Sequence, residues 1–289
     1  MDRYSLLIIS VFTLFFACPL YINAEDFNNT NKKFTSNFSI SKLDWHDKHE
    51  LSRVWDNSIV SINIDGRTRK FYMRDLSKQN ISKDVKLPTI IWLHGCSGTW
   101  DGTHRRINFL SKNGYSVIAP QSFARNKYAK SCDPAIFRAS MYREVIYMRH
   151  EDARHVIKQA KKLQWVDKNN LYLMGHSEGG IVTATYKAKK KDESVKARVI
   201  EGWTCRSQGE FGWPEYHGLN SEAKTPVLSL VGYLDPWFQK PWSKGDCGKF
   251  FKNKSSISYV FKHSPLSKTH NPLDHKEAQN ILLNFLKKF

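Results

Sequence analysis

The sequence contains no CxxC pair and no HExxH run, so the two commonest metal-ligating spacings are missing and no metal site is expected. No internal repeat and no linker interrupts it, which argues for one domain in a chain of 289 residues. Acidic residues are few: 27 Asp and Glu against 45 Lys and Arg, a formal net charge of +18. Such a field favours anionic surfaces and substrates. The basic residues are nonetheless spread out, with only small clusters at 189–191 and 249–254, and no nucleic-acid-binding motif stands beside them. Nucleic acid is therefore not an expected partner. A solvated basic surface is the simplest account, with weak attraction to an anionic envelope as the alternative.

Charge is also scarce at the start of the chain. After Asp2 and Arg3 no charged side chain occurs until Glu25. Residues 6–17 form an apolar run of signal-peptide length, too short to span a bilayer comfortably, and Ala24 offers a small residue at a cleavage point. Residues 1–24 read as a signal peptide. Phe15-Phe16-Ala17-Cys18 also resembles a weak lipoprotein signal, and an uncleaved anchor is a third reading; in all three the domain is exported. Residues 25–41 are polar and read as a flexible lead-in to a domain over 42–289.

Cysteine is sparse as well. Removing the leader leaves Cys96, Cys132, Cys205 and Cys247, an even number in an exported chain, which favours disulfides over free thiols. Three connectivities are available. Cys96 with Cys132 and Cys205 with Cys247 are favoured, because each pair joins loops expected at the same end of the sheet inferred below.

What is present is a 40% apolar composition with nine tryptophans, enough for a large core. Residues 58–64 and 69–74 alternate around Asp65-Gly66 and read as a hairpin. Continuous apolar runs at 87–93, 115–119, 171–174, 197–203, 226–231 and 256–262 read as strands, the first two as strands buried on both faces. Helical patterns at 103–112, 141–164, 178–190 and 275–288 lie between or after them. This alternation predicts an α/β domain: a mostly parallel central sheet with helices on both faces. Residues 125–140, 205–225 and 237–252 are irregular and aromatic-rich. They follow strand ends, where such sheets place ligands, so Trp203, Trp213, Trp237 and Trp242 are candidates to shape a cleft.

The chemistry concentrates in Gly175-His176-Ser177-Glu178-Gly179. The pentapeptide G-x-S-x-G is weak alone, but here it joins a strand to a helix, as a nucleophile elbow must. Ser177 is the candidate nucleophile. A serine hydroxyl needs a base held by an acid, in the chain order Ser, acid, His. Asp235 follows the strand at 226–231 and is the candidate acid, with Glu201 in reserve. His270, in a loop able to fold over the sheet end, is the favoured base; His263 and His275 are the alternatives. The backbone N–H groups of Cys96 and Glu178 are the candidate oxyanion donors.

Residues 93–96 (Leu-His-Gly-Cys), 114–117 (Gly-Tyr-Ser-Val), 175–180 (Gly-His-Ser-Glu-Gly-Gly), 232–235 (Gly-Tyr-Leu-Asp) and His270 together resemble the α/β-hydrolase superfamily, and within it the dienelactone hydrolase-like group. The resemblance runs from about residue 88 to the C-terminus. It implies the α/β-hydrolase fold, a Ser177–Asp235–His270 triad and no cofactor. It departs from dienelactone hydrolases proper, whose nucleophile is cysteine. The His94-Gly95-Cys96 loop also resembles secreted polyester depolymerases and feruloyl esterases. An exported serine hydrolase cleaving a small-molecule or polymeric carboxylic ester is the resulting expectation. A peptidase or amidase with the same triad, and a binding protein on a hydrolase scaffold, are the alternatives.

Overall fold

The computed structural model describes residues 32–82, 84–207, 214–220, 222 and 224–289. The expected signal peptide, Cys18 and Trp213 lie outside the described residues. Eight strands form one sheet: β1 (Ile59–Ile64), β2 (Arg67–Tyr72), β3 (Leu87–Leu93), β4 (Ser116–Ala119), β5 (Val166–His176), β6 (Arg198–Glu201), β7 (Val227–Gly232) and β8 (Ile257–Phe261). Their spatial order is β2-β1-β4-β3-β5-β6-β7-β8. Only β1 runs against its neighbours, pairing antiparallel with β2 and β4; β4 to β8 are joined by parallel pairings. The β1–β2 turn places Asp65 at φ 52° and Gly66 at φ 73°, the two positive values that a two-residue hairpin turn needs.

The strands read as continuous apolar runs because both faces of the sheet are covered. Along β5, Leu171 and Leu173 enter one core and Tyr172 and Met174 the other. β3 alternates likewise, Ile91 and Leu93 against Ile90 and Trp92. The first core is completed by α4 (Val145–Ala160) and α5 (Glu178–Thr185), through Val156, Ile157 and Val182. The second is completed by α3 (Asp101–Lys112) and α6 (Lys276–Leu286), through Ile107, Leu110, Leu282 and Phe285. Each such buried side chain contributes roughly 1.5–3 kcal/mol by removal from water.

Two short helices precede the sheet, α1 (Lys42–Trp45) and α2 (Lys48–Asp56), the second capped by Asp47 accepting from the N–H of His49 and Glu50. Neither is anticipated by periodicity. Residues 32–41, expected as a flexible lead-in, lie against the domain: the Thr35 N–H donates to Tyr128 O at 2.8 Å and Ile40 is buried.

Several element bounds differ from the sequence reading. The helix expected over 178–190 ends at Thr185, because the buried Arg198 guanidinium donates to the carbonyls of Thr183 and Tyr186 and closes that end. The strand expected over 197–203 stops at Glu201, since Gly202 turns away at φ 65°. The helix expected over 141–164 spans Val145–Ala160, and β5 begins at Val166, so Asn169 and Asn170 lie within the strand rather than ahead of it.

Candidate active site

Ser177 sits between the end of β5 and the first residue of α5, with φ 55° and ψ −119°. This is a strained conformation for a residue with a Cβ, and the surroundings enforce it. The Ser177 N–H donates to Glu201 O at 2.8 Å, and Ser177 O accepts from the Ile181 N–H at 3.0 Å. The flanking glycines allow the close approach. A Cβ on Gly175 would stand 2.1 Å from Gly179 O, and one on Gly179 would stand 2.1 Å from Leu93 O. The result is a half-buried serine on a turn whose other residues are buried.

Asp235 follows β7 and is fully buried. Its Oδ1 accepts from the Trp237 N–H at 3.0 Å, and its Oδ2 lies 2.7 Å from Nδ1 of His270. His270 is packed by Trp237, stacked at 5.3 Å between ring centroids, by Phe238 at 5.6 Å and by His176 at 5.0 Å. It also lies against Gly202, the residue after the one that anchors the Ser177 N–H; a Cβ there would meet His270 Cε1 at 3.3 Å. The His270 Nε2 atom is buried and makes no hydrogen bond among the described residues, so no Ser177 Oγ–His270 Nε2 bond is formed in this state. The other two histidines lie elsewhere. His263 is exposed and 2.9 Å from Glu277, and His275 stands at the N-cap position of α6 without a side-chain capping bond.

Glu201, the reserve acid, hydrogen-bonds to no histidine among the described residues. Arg106 of α3 donates to both its oxygens at 3.0 and 3.1 Å, and the Leu273 N–H donates to Oε1 at 3.0 Å. Burial pushes the Glu201 carboxyl upward, and the Arg106 guanidinium opposes this. Arg106 also donates to Asn271 Oδ1 at 3.1 Å and lies 3.3 Å from Asp274. The loop that carries His270 is thus tied to the end of β6. His176 adds another tie: its Nε2 lies 3.2 Å from His270 O. A carbonyl can only accept, so Nε2 carries the proton, and burial holds this imidazole neutral, its pKa well below 6.5.

Cys96 and Glu178 line the same cavity as Ser177, about 230 Å³ in volume. No hydrogen bond among the described residues takes up the N–H of Cys96 or of Glu178. A buried cation joins the two segments. Arg149 of α4 donates to Glu178 Oε1 at 2.8 Å and, through its second terminal nitrogen, to His94 O. Sequence reading misses Arg149 and Arg106, since a cation inside a helical pattern carries no mark of its burial.

The cleft walls come from the irregular stretches. Trp203, Trp237 and Trp242 line the cavity, together with Phe137, Tyr216 and Phe238. Both favoured cysteine pairs are at bonding distance: Cys96–Cys132 at 2.08 Å and Cys205–Cys247 at 1.98 Å. The first ties the loop after β3 to the wall segment before α4; the second ties the loop after β6 to the wall segment after β7.

No curated protein matches the chain significantly. Among solved structures, a Klebsiella pneumoniae protein assigned as a dienelactone hydrolase superposes with a TM-score of 0.54 at 18% identity, over 80% of this chain and 99% of that one. The protein m3DLH superposes with a TM-score of 0.50 at 15% identity, over 80% and 96%. These likenesses establish the α/β-hydrolase fold. The pattern of the dienelactone hydrolase family matches residues 78–259, well over half the chain, and the match takes in the β3 loop, the G-x-S-x-G turn and Asp235. The chain therefore belongs to the dienelactone hydrolase family of hydrolases.

Proposed function

We propose that this hydrolase is an exported carboxylic-ester hydrolase that works through an acyl-enzyme on Ser177. The single observation that carries the reading is the Asp235–His270 pair, 2.7 Å apart and packed beside the Ser177 turn. Asp235 accepts the Nδ1 proton of His270 and so leaves Nε2 as the base. Substrate entry closes the Ser177 Oγ–His270 Nε2 bond, a bond often unmade in an empty site.

Ser177 Oγ then attacks the ester carbonyl while His270 Nε2 takes its proton. The oxyanion lies against the free N–H groups of Cys96 and Glu178, each worth about 3 kcal/mol in such sites. Collapse expels the alcohol, which takes the proton from His270, and leaves the acyl group on Ser177. Water attacks the acyl carbon, giving its proton to His270. A second collapse releases the acid and returns that proton to Ser177. The steps use Ser177, Asp235, His270, two backbone N–H groups and water, and none calls for a cofactor. Export is supported by the two disulfide pairs, which persist in an oxidising compartment.

The test is a panel of matched ester and amide substrates with rapid mixing. A burst of alcohol release, roughly one per protein chain, with esters far faster than amides, supports the reading. Faster amide turnover overturns the ester assignment, and release with no burst and no dependence on Ser177 overturns the mechanism.

A further inference from the structure

A second cavity lies away from Ser177. It is an open groove of about 500 Å³ lined by Lys189, Lys190, Lys191, Lys196 and Lys224, with Glu222 as its one carboxylate. Lys196 stands just ahead of β6 and Lys224 just ahead of β7, and both strands run parallel with β5, whose far end carries Ser177. The groove is thus at the end of these strands opposite the cleft.

Its charges are poorly matched within the chain. Lys189 is 3.1 Å from Glu151, and Lys224 is 3.7 Å from Glu222. Lys196 donates to the neutral Oδ1 of Asn170 at 2.7 Å. The ammonium groups of Lys190 and Lys191 have no partner among the described residues, and all five lysines are exposed. Lys189 and Lys224 are paired with carboxylates and Lys196 feels the charge of Asp167, but the lining still carries five cations to one anion, so a bound polyanion meets a net positive concavity and releases its counterions.

Shape and composition narrow the class. A concave groove suits a chain better than a flat bilayer. Among the described residues it holds no arginine for bidentate phosphate binding and no aromatic ring on which a base could stack. Ser194 lines it beside the lysines, its Oγ donating to Lys191 O at 2.7 Å and left with lone pairs to accept from a hydroxyl, while Thr225 is buried. We propose that this groove binds an unbranched acidic polysaccharide, its carboxylates taken singly by the lysine ammonium groups and its hydroxyls by the polar lining. Docked there, the enzyme presents its cleft outward, away from the anchoring polymer. This proposal does not depend on the ester-hydrolase reading.

The experiment is titration with an oligogalacturonate at several salt concentrations, using the full domain and two charge-matched triple variants. One is Lys190→Gln, Lys191→Gln, Lys196→Gln in the groove. The other is Lys276→Gln, Lys287→Gln, Lys288→Gln, exposed positions on or just past α6 at the other face of the sheet. The groove triple is expected to weaken binding about tenfold or more and to flatten the salt dependence by about two charges, with the α6 triple near wild type. Equal losses in both triples overturn the proposal, because the net charge alone then does the work. So does absence of saccharide binding, or tighter retention on anionic phospholipid vesicles or single-stranded DNA. Circular dichroism of both triples confirms that a loss is not unfolding.

Discussion

His270 Nδ1 lies 2.7 Å from Oδ2 of an Asp235 that solvent does not reach. A buried carboxylate with a single imidazole partner fixes both the ring's orientation and its tautomer. Asp235→Asn keeps the shape but offers an N–H where the ring needs an acceptor. The variant is expected to fold and to lose about 10³–10⁴-fold in kcat on a small ester, with KM little changed. A loss of only a few-fold, in a protein of wild-type Tm, would remove Asp235 from the proposed triad.

Arg149 and Glu178 form a buried pair one residue past the serine. Removing one partner strands the other charge, so Arg149→Met is expected to cost about 3–5 kcal/mol in urea unfolding. Arg149→Met with Glu178→Met removes both charges and should recover most of that stability. If the pair also positions the oxyanion donors, the double variant keeps a depressed kcat despite restored stability. Full recovery of kcat would make the pair purely structural.

The Cys96–Cys132 bond pins the loop that carries a candidate oxyanion donor. Cys96→Ser with Cys132→Ser should lower stability by about 2–4 kcal/mol and lower kcat more than it raises KM. Tm and ester kinetics with and without reductant check this. Activity indifferent to reductant, with the bond shown to be open, would contradict it.

Burial holds His94 and His150 neutral, each lowered to a pKa of about 3. The folded-state values are below the unfolded value near 6.5, so the unfolded chain takes up protons first as pH falls. Stability is unaffected by these groups above about pH 6.5 and declines toward pH 3, by about 1.4 kcal/mol per pH unit for each histidine. His150→Gln should reduce the slope of unfolding free energy between pH 6 and pH 4 by about one proton. An unchanged slope would mean that His150 protonates in the folded state.

Much of the architecture is legible in the sequence because parallel strands buried on both faces leave unbroken apolar runs, as in residues 87–93. The G-x-S-x-G turn is legible because its glycines answer to backbone contacts at about 2 Å, which no other residue survives. Helix ends are less so: α5 stops at Thr185 because of Arg198, a residue from another element, and no local signal marks that. The ties from Arg106 and Arg149 are hidden for the same reason. Both are long-range pairings of buried charge, with a sequence separation of 95 between Arg106 and Glu201.

The most direct test of the central claim is labelling of the protein over residues 25–289 with a fluorophosphonate, locating the modified residue by mass spectrometry. The account predicts one label, on Ser177, abolished in Ser177→Ala and strongly slowed in His270→Ala. A well-folded domain that takes no label, or takes it on another serine at the wild-type rate in Ser177→Ala, would contradict it.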